Sequence, residues 1–156
     1  MPRHELRALG YHELAPGDQW QSPCRTVTEA DIVGFAGLSG DFNPIHMDHE
    51  AARQGPFGKP LAHGLLGLAL ASGLTSHAPW VDTIAFLEIL EWKFLRPIAI
   101  GDTIRVVSTV EAVEPRSRGR RGVVTWHRRL LNQDGHSVQE GRTQTLVNGR
   151  TPRDEG

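Results

Sequence analysis

AHGLLGLALASGLT, at residues 62–75, predicts a helix that is apolar on almost every side. Leucines and alanines recur through it at helical spacing, and no Asp, Glu, Lys or Arg interrupts them. A helix with this character is normally buried in the core of a domain. We therefore expect it to be buried on most sides, with the rest of the chain packed around it.

Downstream of this helix, the hydrophobic period changes from helical to alternating. Four runs carry the β-branched and aromatic residues typical of strands, at residues 84–95, 103–113, 122–131 and 137–147. The connections between them are short, which favours an antiparallel meander. The order predicts an α+β fold, with the central helix packed against an antiparallel sheet.

Upstream of the helix, the sequence predicts a short strand at residues 24–27. The total number of predicted strands is then about five. Thr28 can then cap a second helix, because Asp31 stands three residues on in the capping-box position. Gly40 is a natural end for that helix. Pro44 should exclude regular helix from residues 40 to 47, so we expect a tightly bent loop there.

Length and composition indicate one globular domain, since 156 residues with 38% hydrophobic content can bury a single modest core. No internal repeat, low-complexity tract or linker divides the sequence. We expect an N-terminal segment at residues 1–16, one domain at residues 17–148, and a flexible C-terminal tail at residues 149–156.

Charge and cysteine content argue against several classes of function. The 17 Lys and Arg balance 18 Asp and Glu to a net charge of −1, which does not support nucleic-acid binding. One cysteine, Cys24, excludes an internal disulfide and any zinc site built on two thiolates, and it fits a cytoplasmic location. We find neither a secretory signal nor an apolar run that could span a membrane, so we expect a soluble protein with no membrane partner.

The densest group of reactive side chains is GDFNPIH, at residues 40–46. Asp41 and His46 are five residues apart and would face different sides of a continuous helix, but a bent loop can bring them together. A carboxylate beside an imidazole can take and give protons near neutral pH. Asn43 lies between them, where its amide could hold a substrate group or fix the loop.

A second candidate element is Gly64, at the start of the apolar helix. A helix N-terminus presents unpaired N–H groups, and glycine lets an oxygen approach them closely, so this is a candidate oxyanion site. Together with the acid–base pair it suits proton transfer beside a polarised carbonyl, with no cofactor. The alternative of a metal on His46, Asp48 and His49 matches no strong ligand pattern, and we expect no metal.

Residues 35–52 resemble the hydratase motif of the MaoC-like dehydratases and (R)-specific enoyl-CoA hydratases, whose core is Gly-Asp-x-Asn-Pro-x-His. The similarity covers most of the chain, roughly residues 17–147. It implies a hot-dog fold, in which an antiparallel sheet wraps a long helix. It also implies a homodimer or larger assembly with sites near the subunit interface.

The resemblance further implies a lyase of fatty acid metabolism that adds water syn across trans-2-enoyl-CoA to give (R)-3-hydroxyacyl-CoA. Asp41 and His46 would hold the water, and which of them is the base stays open. Asn43 would order the site, and the N–H of Gly64 would stabilise the thioester oxygen. Ser72 matches a serine that several members carry on the central helix, and would have a supporting part in substrate binding.

Two other functions stay open on the same scaffold. One is an acyl-CoA thioesterase, because a helix N-terminus facing a thioester carbonyl also suits acyl transfer. The other is a non-catalytic subunit that binds acyl-CoA without turnover. In each case the depth of the acyl pocket would depend on apolar side chains such as Leu65, Leu66, Leu68 and Phe86.

Overall fold

A computed structural model describes residues 7–149 of the chain. Its helices are α1 (Glu29–Ser39), α2 (Pro44–Met47), α3 (His49–Gln54) and α4 (Gly64–Leu74). Its strands are β1 (Gln19–Gln21), β2 (Arg25–Thr26), β3 (Thr83–Phe94), β4 (Thr103–Arg116), β5 (Arg121–Leu131) and β6 (Ser137–Asn148). None of these helices has the length and apolar character that crossing a bilayer requires.

The predicted terminal segments fall only partly within the described residues. All of the predicted tail at residues 149–156 except Gly149 lies outside them, as do residues 1–6. Within the predicted N-terminal segment, Tyr11 and Leu14 are buried in a cluster with Trp126 and Val147. This part of the segment therefore packs against the sheet.

The strands form one antiparallel sheet in the order β1-β4-β5-β6-β3, with β2 also paired to β4. The α+β class is confirmed, with six strands where about five were expected, because the three-residue β1 has no clear alternating pattern. The last three strands form the expected meander, whereas β3 pairs with β6 at the far edge. The chain after β3 crosses the start of α4, where the N–H of Ala62 donates to the carbonyl of Ile98 at 2.8 Å.

The helix α4 is buried on one face only. Leu66, Leu70 and Ala71 pack into the main hydrophobic cluster, which includes inward-facing residues of β4, β5 and β6. On the opposite face, Leu65 is 61% exposed. The expectation that the helix is buried on most sides is therefore wrong for a single chain, and the exposed face borders the cavity described below.

A close approach between α4 and β6 fixes the start of the helix. A Cβ atom at Gly67 would lie only 2.3 Å from Nε2 of Gln139, so a side chain at this position would displace the strand residue. Gln139 is 2% exposed. Its Nε2 donates to the carbonyl oxygen of Gly64 at 2.9 Å, and its Oε1 accepts from Nε1 of Trp92 at 3.0 Å.

The predicted caps of α1 are confirmed. The hydroxyl of Thr28 accepts from the N–H of Asp31 at 3.2 Å, and a carboxylate oxygen of Asp31 accepts from the N–H of Thr28 at 2.9 Å. Burial opposes ionisation of Asp31, but hydrogen bonds from Thr28 and the Arg25 guanidinium outweigh it and lower the pKa of the carboxyl. Gly40 ends the helix in the left-handed conformation, with φ of 79°.

Candidate active site

The one-turn helix α2 brings His46 beside Asp41. The sequence-based expectation that residues 40–47 contain no helix is wrong, because Pro44 occupies the first helical position, where its missing N–H costs no hydrogen bond. Asn43 precedes it with ψ of 134°, as expected before a proline. The Oδ1 of Asn43 accepts from the N–H of Ile45 at 3.2 Å and so caps α2.

The carboxylate of Asp41 is held from one side and open on the other. Its Oδ1 accepts from the N–H of Asn43 at 3.2 Å, which fixes the side chain against its own loop. Its Oδ2 lies 3.8 Å from Nε2 of His46. The Asp41 side chain is 52% exposed, so the second oxygen is accessible from outside the chain.

The imidazole of His46 is oriented by a backbone carbonyl. Its Nδ1 lies 2.7 Å from the oxygen of Leu61, and because a carbonyl only accepts, Nδ1 carries the hydrogen. In the neutral ring, Nε2 is then the acceptor, and it faces Asp41. The 3.8 Å between Nε2 and Oδ2 is too long for a direct hydrogen bond, but one water can bond to both atoms.

His63 lies directly beneath this pair. Its ring stacks on that of His46, with the centroids 3.8 Å apart, and its Nε2 donates to the backbone oxygen of Asp41 at 2.9 Å. Phe35 packs near it, with a centroid distance of 5.0 Å. His63 is 3% exposed, and its Nδ1 has no hydrogen-bond partner in the described part of the chain. One buried ring therefore supports both members of the pair.

The geometry of these side chains disfavours a metal ion. Ligand atoms of Asp41, His46 and His63 lie within 4.8 Å of one another. The two imidazole planes are inclined by only 25°, however, so their lone pairs point side by side instead of converging on one tetrahedral centre. The alternative cluster is not assembled, since Asp48 caps α3 and His49 pairs with a glutamate of α1.

The first residue of α4 presents a free donor. His63 occupies the N-cap position and makes no side-chain cap hydrogen bond. Within residues 7–149, the N–H of Gly64 takes part in no hydrogen bond, whereas its carbonyl is fixed by Gln139. A helix start with unsatisfied N–H groups and partial positive charge favours an anionic oxygen.

A cavity of about 600 Å³ lies between the exposed face of α4 and the sheet. This volume is in the range of small-molecule sites. Three of the four side chains expected to shape it, Leu65, Leu68 and Phe86, do line it, whereas Leu66 points into the core. Ser72 also lies on its wall. Phe35 contributes both to this lining and to the surroundings of His63, whereas Asp41, His46 and Gly64 are not among the lining residues.

Sequence reasoning did not single out Gln139 or Arg128, which lines the same cavity. Both lie on strands in which inward and outward positions alternate, and both occupy positions that face α4. The buried apolar residues of these strands include Trp126, Leu130 and Val138. In the sequence, both are polar residues at inward-facing positions of an alternating strand pattern, and this feature could have marked them as candidate functional residues.

Residues 13–129 match the family profile of the MaoC like domain. The chain is 34% identical over 143 residues to an (R)-specific enoyl-CoA hydratase of Rhodospirillum rubrum, covering 91% of this chain and 94% of that protein. It is 43% identical over 96 residues to Protein MaoC of Klebsiella aerogenes, which covers 62% of this chain. The match spans only 29% of that longer protein.

Two solved structures are similar to this chain over most of its length. A monoamine oxidase regulatory protein of Archaeoglobus superposes with a TM-score of 0.84 at 34% identity, covering 94% of this chain and 99% of that one. A Mycobacterium tuberculosis protein described as a double hotdog fold superposes with a TM-score of 0.79 at 19% identity, over 93% of this chain and 46% of that one. The second likeness bears on the fold alone, and the hot-dog architecture is confirmed. The profile match and the identities together place this chain in the MaoC-like dehydratase family.

Proposed function

We propose that this protein is a hydro-lyase that reversibly adds water to trans-2-enoyl-CoA thioesters and forms (R)-3-hydroxyacyl-CoA. The observation that carries the proposal is the 3.8 Å separation between Nε2 of His46 and Oδ2 of Asp41. Both atoms are acceptors, so a water between them would donate a hydrogen to each. A water held in this way has its oxygen lone pairs free to attack carbon.

In the proposed reaction, the water oxygen forms a bond to Cβ and one water proton passes to the Asp41–His46 pair. The electrons of the double bond move towards the thioester carbonyl, whose oxygen gains charge beside the N–H of Gly64. The pair then returns one proton to Cα. Because the water and the returned proton come from the same side chains, both would reach the same face of the substrate, which gives syn addition.

Asn43 and Ser72 have supporting roles in this proposal. The Asn43 side chain caps α2, and its N–H holds Asp41, so it orders the catalytic loop. Ser72 lies two helical turns beyond Gly64, about 12 Å along the axis, on the cavity wall. It would therefore contact the acyl chain, away from the reacting carbons.

The decisive experiment incubates the protein with a panel of trans-2-enoyl-CoA thioesters and resolves the products by chiral chromatography. We expect loss of enoyl absorbance and (R)-3-hydroxyacyl-CoA as product. Release of free thiol without a hydroxyacyl product would identify a thioesterase instead. Tight acyl-CoA binding without turnover would identify a non-catalytic subunit.

We also propose that the protein is a homodimer joined along β3. Among the described strands, β3 lies at an edge of the sheet, with β6 on one side and no strand paired to it on the other. It exposes a run of large apolar side chains, each 40–56% accessible: Ile84, Phe86, Leu87, Ile89, Leu90 and Phe94. A long apolar edge strand of this kind normally requires cover, which a second copy would supply.

Light scattering tests the dimer. We expect twice the monomer mass for the native protein and the monomer mass for Leu90→Lys, because a buried lysine would carry an unpaired charge into the interface. Gln21→Lys is the matched control, since it introduces the same charge on β1 at the opposite edge of the sheet. A monomeric native protein, or a dimeric Leu90→Lys variant, would contradict this arrangement.

The state of Cys24 is relevant to the cellular compartment of the protein. Its thiol is free and exposed. Exposed thiols persist in reducing compartments, so we propose a cytoplasmic location.

A further inference from the structure

The cavity beside α4 contains a cation on its sheet side. Arg128 lies on β5 and lines the cavity together with Trp126, two residues earlier on the same face. Its guanidinium carbon is 5.0 Å from the centre of the Trp126 ring. The remaining lining is largely aromatic and aliphatic, so this group stands out in chemistry from its surroundings.

The guanidinium of Arg128 is poorly satisfied. It has five N–H donors. Within the described residues, it makes one side-chain hydrogen bond, from Nη1 to the buried hydroxyl of Ser108 at a long 3.4 Å, and it forms no ion pair. Its Nε is buried without a partner, as is Oγ1 of Thr143, which lines the same cavity.

Arg128 is half-buried, and a charge partly withdrawn from water without a counter-ion is unfavourable unless a ligand compensates it. Burial lowers the pKa of Arg128 to about 10, so the group still carries its charge at neutral pH. An alkyl chain packed against it would remove solvent and supply no acceptor. A carboxylate would supply two acceptor oxygens in the planar arrangement that guanidinium matches.

The strand register relates Arg128 to the start of α4. Leu130 of β5 pairs with Gln139, whose side chain holds the carbonyl of Gly64 at the proposed thioester site. Arg128 is two residues before Leu130 on the same strand, so the backbones of these two residues are about 7 Å apart. A thioester carbonyl at Gly64 and a group at the far end of a short acyl chain could therefore be held at the same time.

We propose that the cavity binds acyl thioesters whose chain ends in a carboxylate, with Arg128 as the residue that selects them. The proposal rests on the proposed function for the orientation of the thioester. It goes beyond that function by naming the substrate class, which is dicarboxylic monothioesters in place of simple fatty acyl chains.

The test measures binding of saturated CoA thioesters, which cannot undergo hydration. Isothermal titration compares four-, five- and six-carbon acyl chains that end in a carboxylate with chains of the same length that end in a methyl group, and with free CoA. We expect at least one carboxylate thioester to bind about tenfold or more tightly than its methyl counterpart. Arg128→Met should abolish that preference and leave the affinity for free CoA unchanged.

Two controls separate this role from a structural one. Arg129→Met removes the neighbouring guanidinium, which points to the opposite face of the strand, and should retain the preference. Arg128→Met keeps an unbranched side chain over Trp126, and we expect its melting temperature to equal or exceed that of the native protein. Binding is compared only between variants whose melting curves are cooperative.

The outcomes distinguish this proposal from the proposed function. A native protein with no preference for the carboxylate series, or an equal loss of affinity for free CoA in Arg128→Met, would overturn the role of Arg128 even if enoyl-CoA hydration is observed. A carboxylate preference that depends on Arg128, in a protein that hydrates no enoyl-CoA, would support the cavity assignment and reject the lyase.

Discussion

Replacing His46 with alanine should lower kcat for enoyl-CoA hydration by about 10² to 10⁴-fold, because the water would lose one of the two acceptors that orient and deprotonate it. Asp41→Asn should cause a loss in the same range. The amide keeps the shape of the carboxylate, and its oxygen can still accept from the N–H of Asn43, but it cannot take a proton. Steady-state kinetics on the best enoyl-CoA substrate measures both effects.

The matched control is His49→Ala. This histidine is three residues from His46 and exposed, and it pairs with a glutamate of α1. We expect its kcat to remain within a few-fold of the native value. Native turnover in both His46→Ala and Asp41→Asn, with circular dichroism confirming intact folds, would remove these residues from the chemistry.

Gly64→Pro should lower kcat by about 10² to 10³-fold, the typical contribution of one oxyanion donor. Proline has no N–H but is well tolerated at the first position of a helix. The preceding residue, His63, already has φ of −56° and ψ of 138°, which is the conformation that proline requires before it. The substitution therefore removes the donor while the backbone keeps its path.

Gly64→Ala separates loss of the donor from added bulk. Its Cβ would meet the ring of Phe94 at about 3.0 Å, a tight contact that proline would also make. Alanine retains the N–H, so its kcat should exceed that of the proline variant by at least tenfold. Equal values for the two variants would assign the effect to the contact with Phe94 and exclude the N–H as a donor.

The parts of the fold that depend on local interactions were predictable from the sequence. The capping box of Thr28 and Asp31 and the left-handed Gly40 involve residues a few positions apart, and each was confirmed. The α+β class followed from the change of hydrophobic period. The exclusion of helix around Pro44 failed because it treated proline as a helix breaker at every position, whereas the first helical position accepts it.

The parts that depend on distant contacts were not predictable in this way. Pairing of β3 with β6 instead of β4 is set by where the chain crosses the start of α4, and strand patterns carry no information about that path. The apolar residues of α4 predicted burial on most sides, but periodicity does not distinguish a core contact from a cavity wall. Gln139 connects two such distant elements, so its part in fixing Gly64 follows only from the folded structure.

The loop that carries Asp41 and His46 is stabilised largely from within. Asp41 accepts from the N–H of Asn43, and Asn43 accepts from the N–H of Ile45, so each of these bonds spans two residues. Within residues 7–149, three hydrogen bonds join this loop to the segment before α4: Nδ1 of His46 donates to the oxygen of Leu61, the N–H of Leu61 donates to the oxygen of Ile45, and Nε2 of His63 donates to the oxygen of Asp41. The segment is thus a compact module, and transplanting it into another scaffold would require the recipient to supply one backbone residue that offers both its N–H and its carbonyl, and one stacked imidazole.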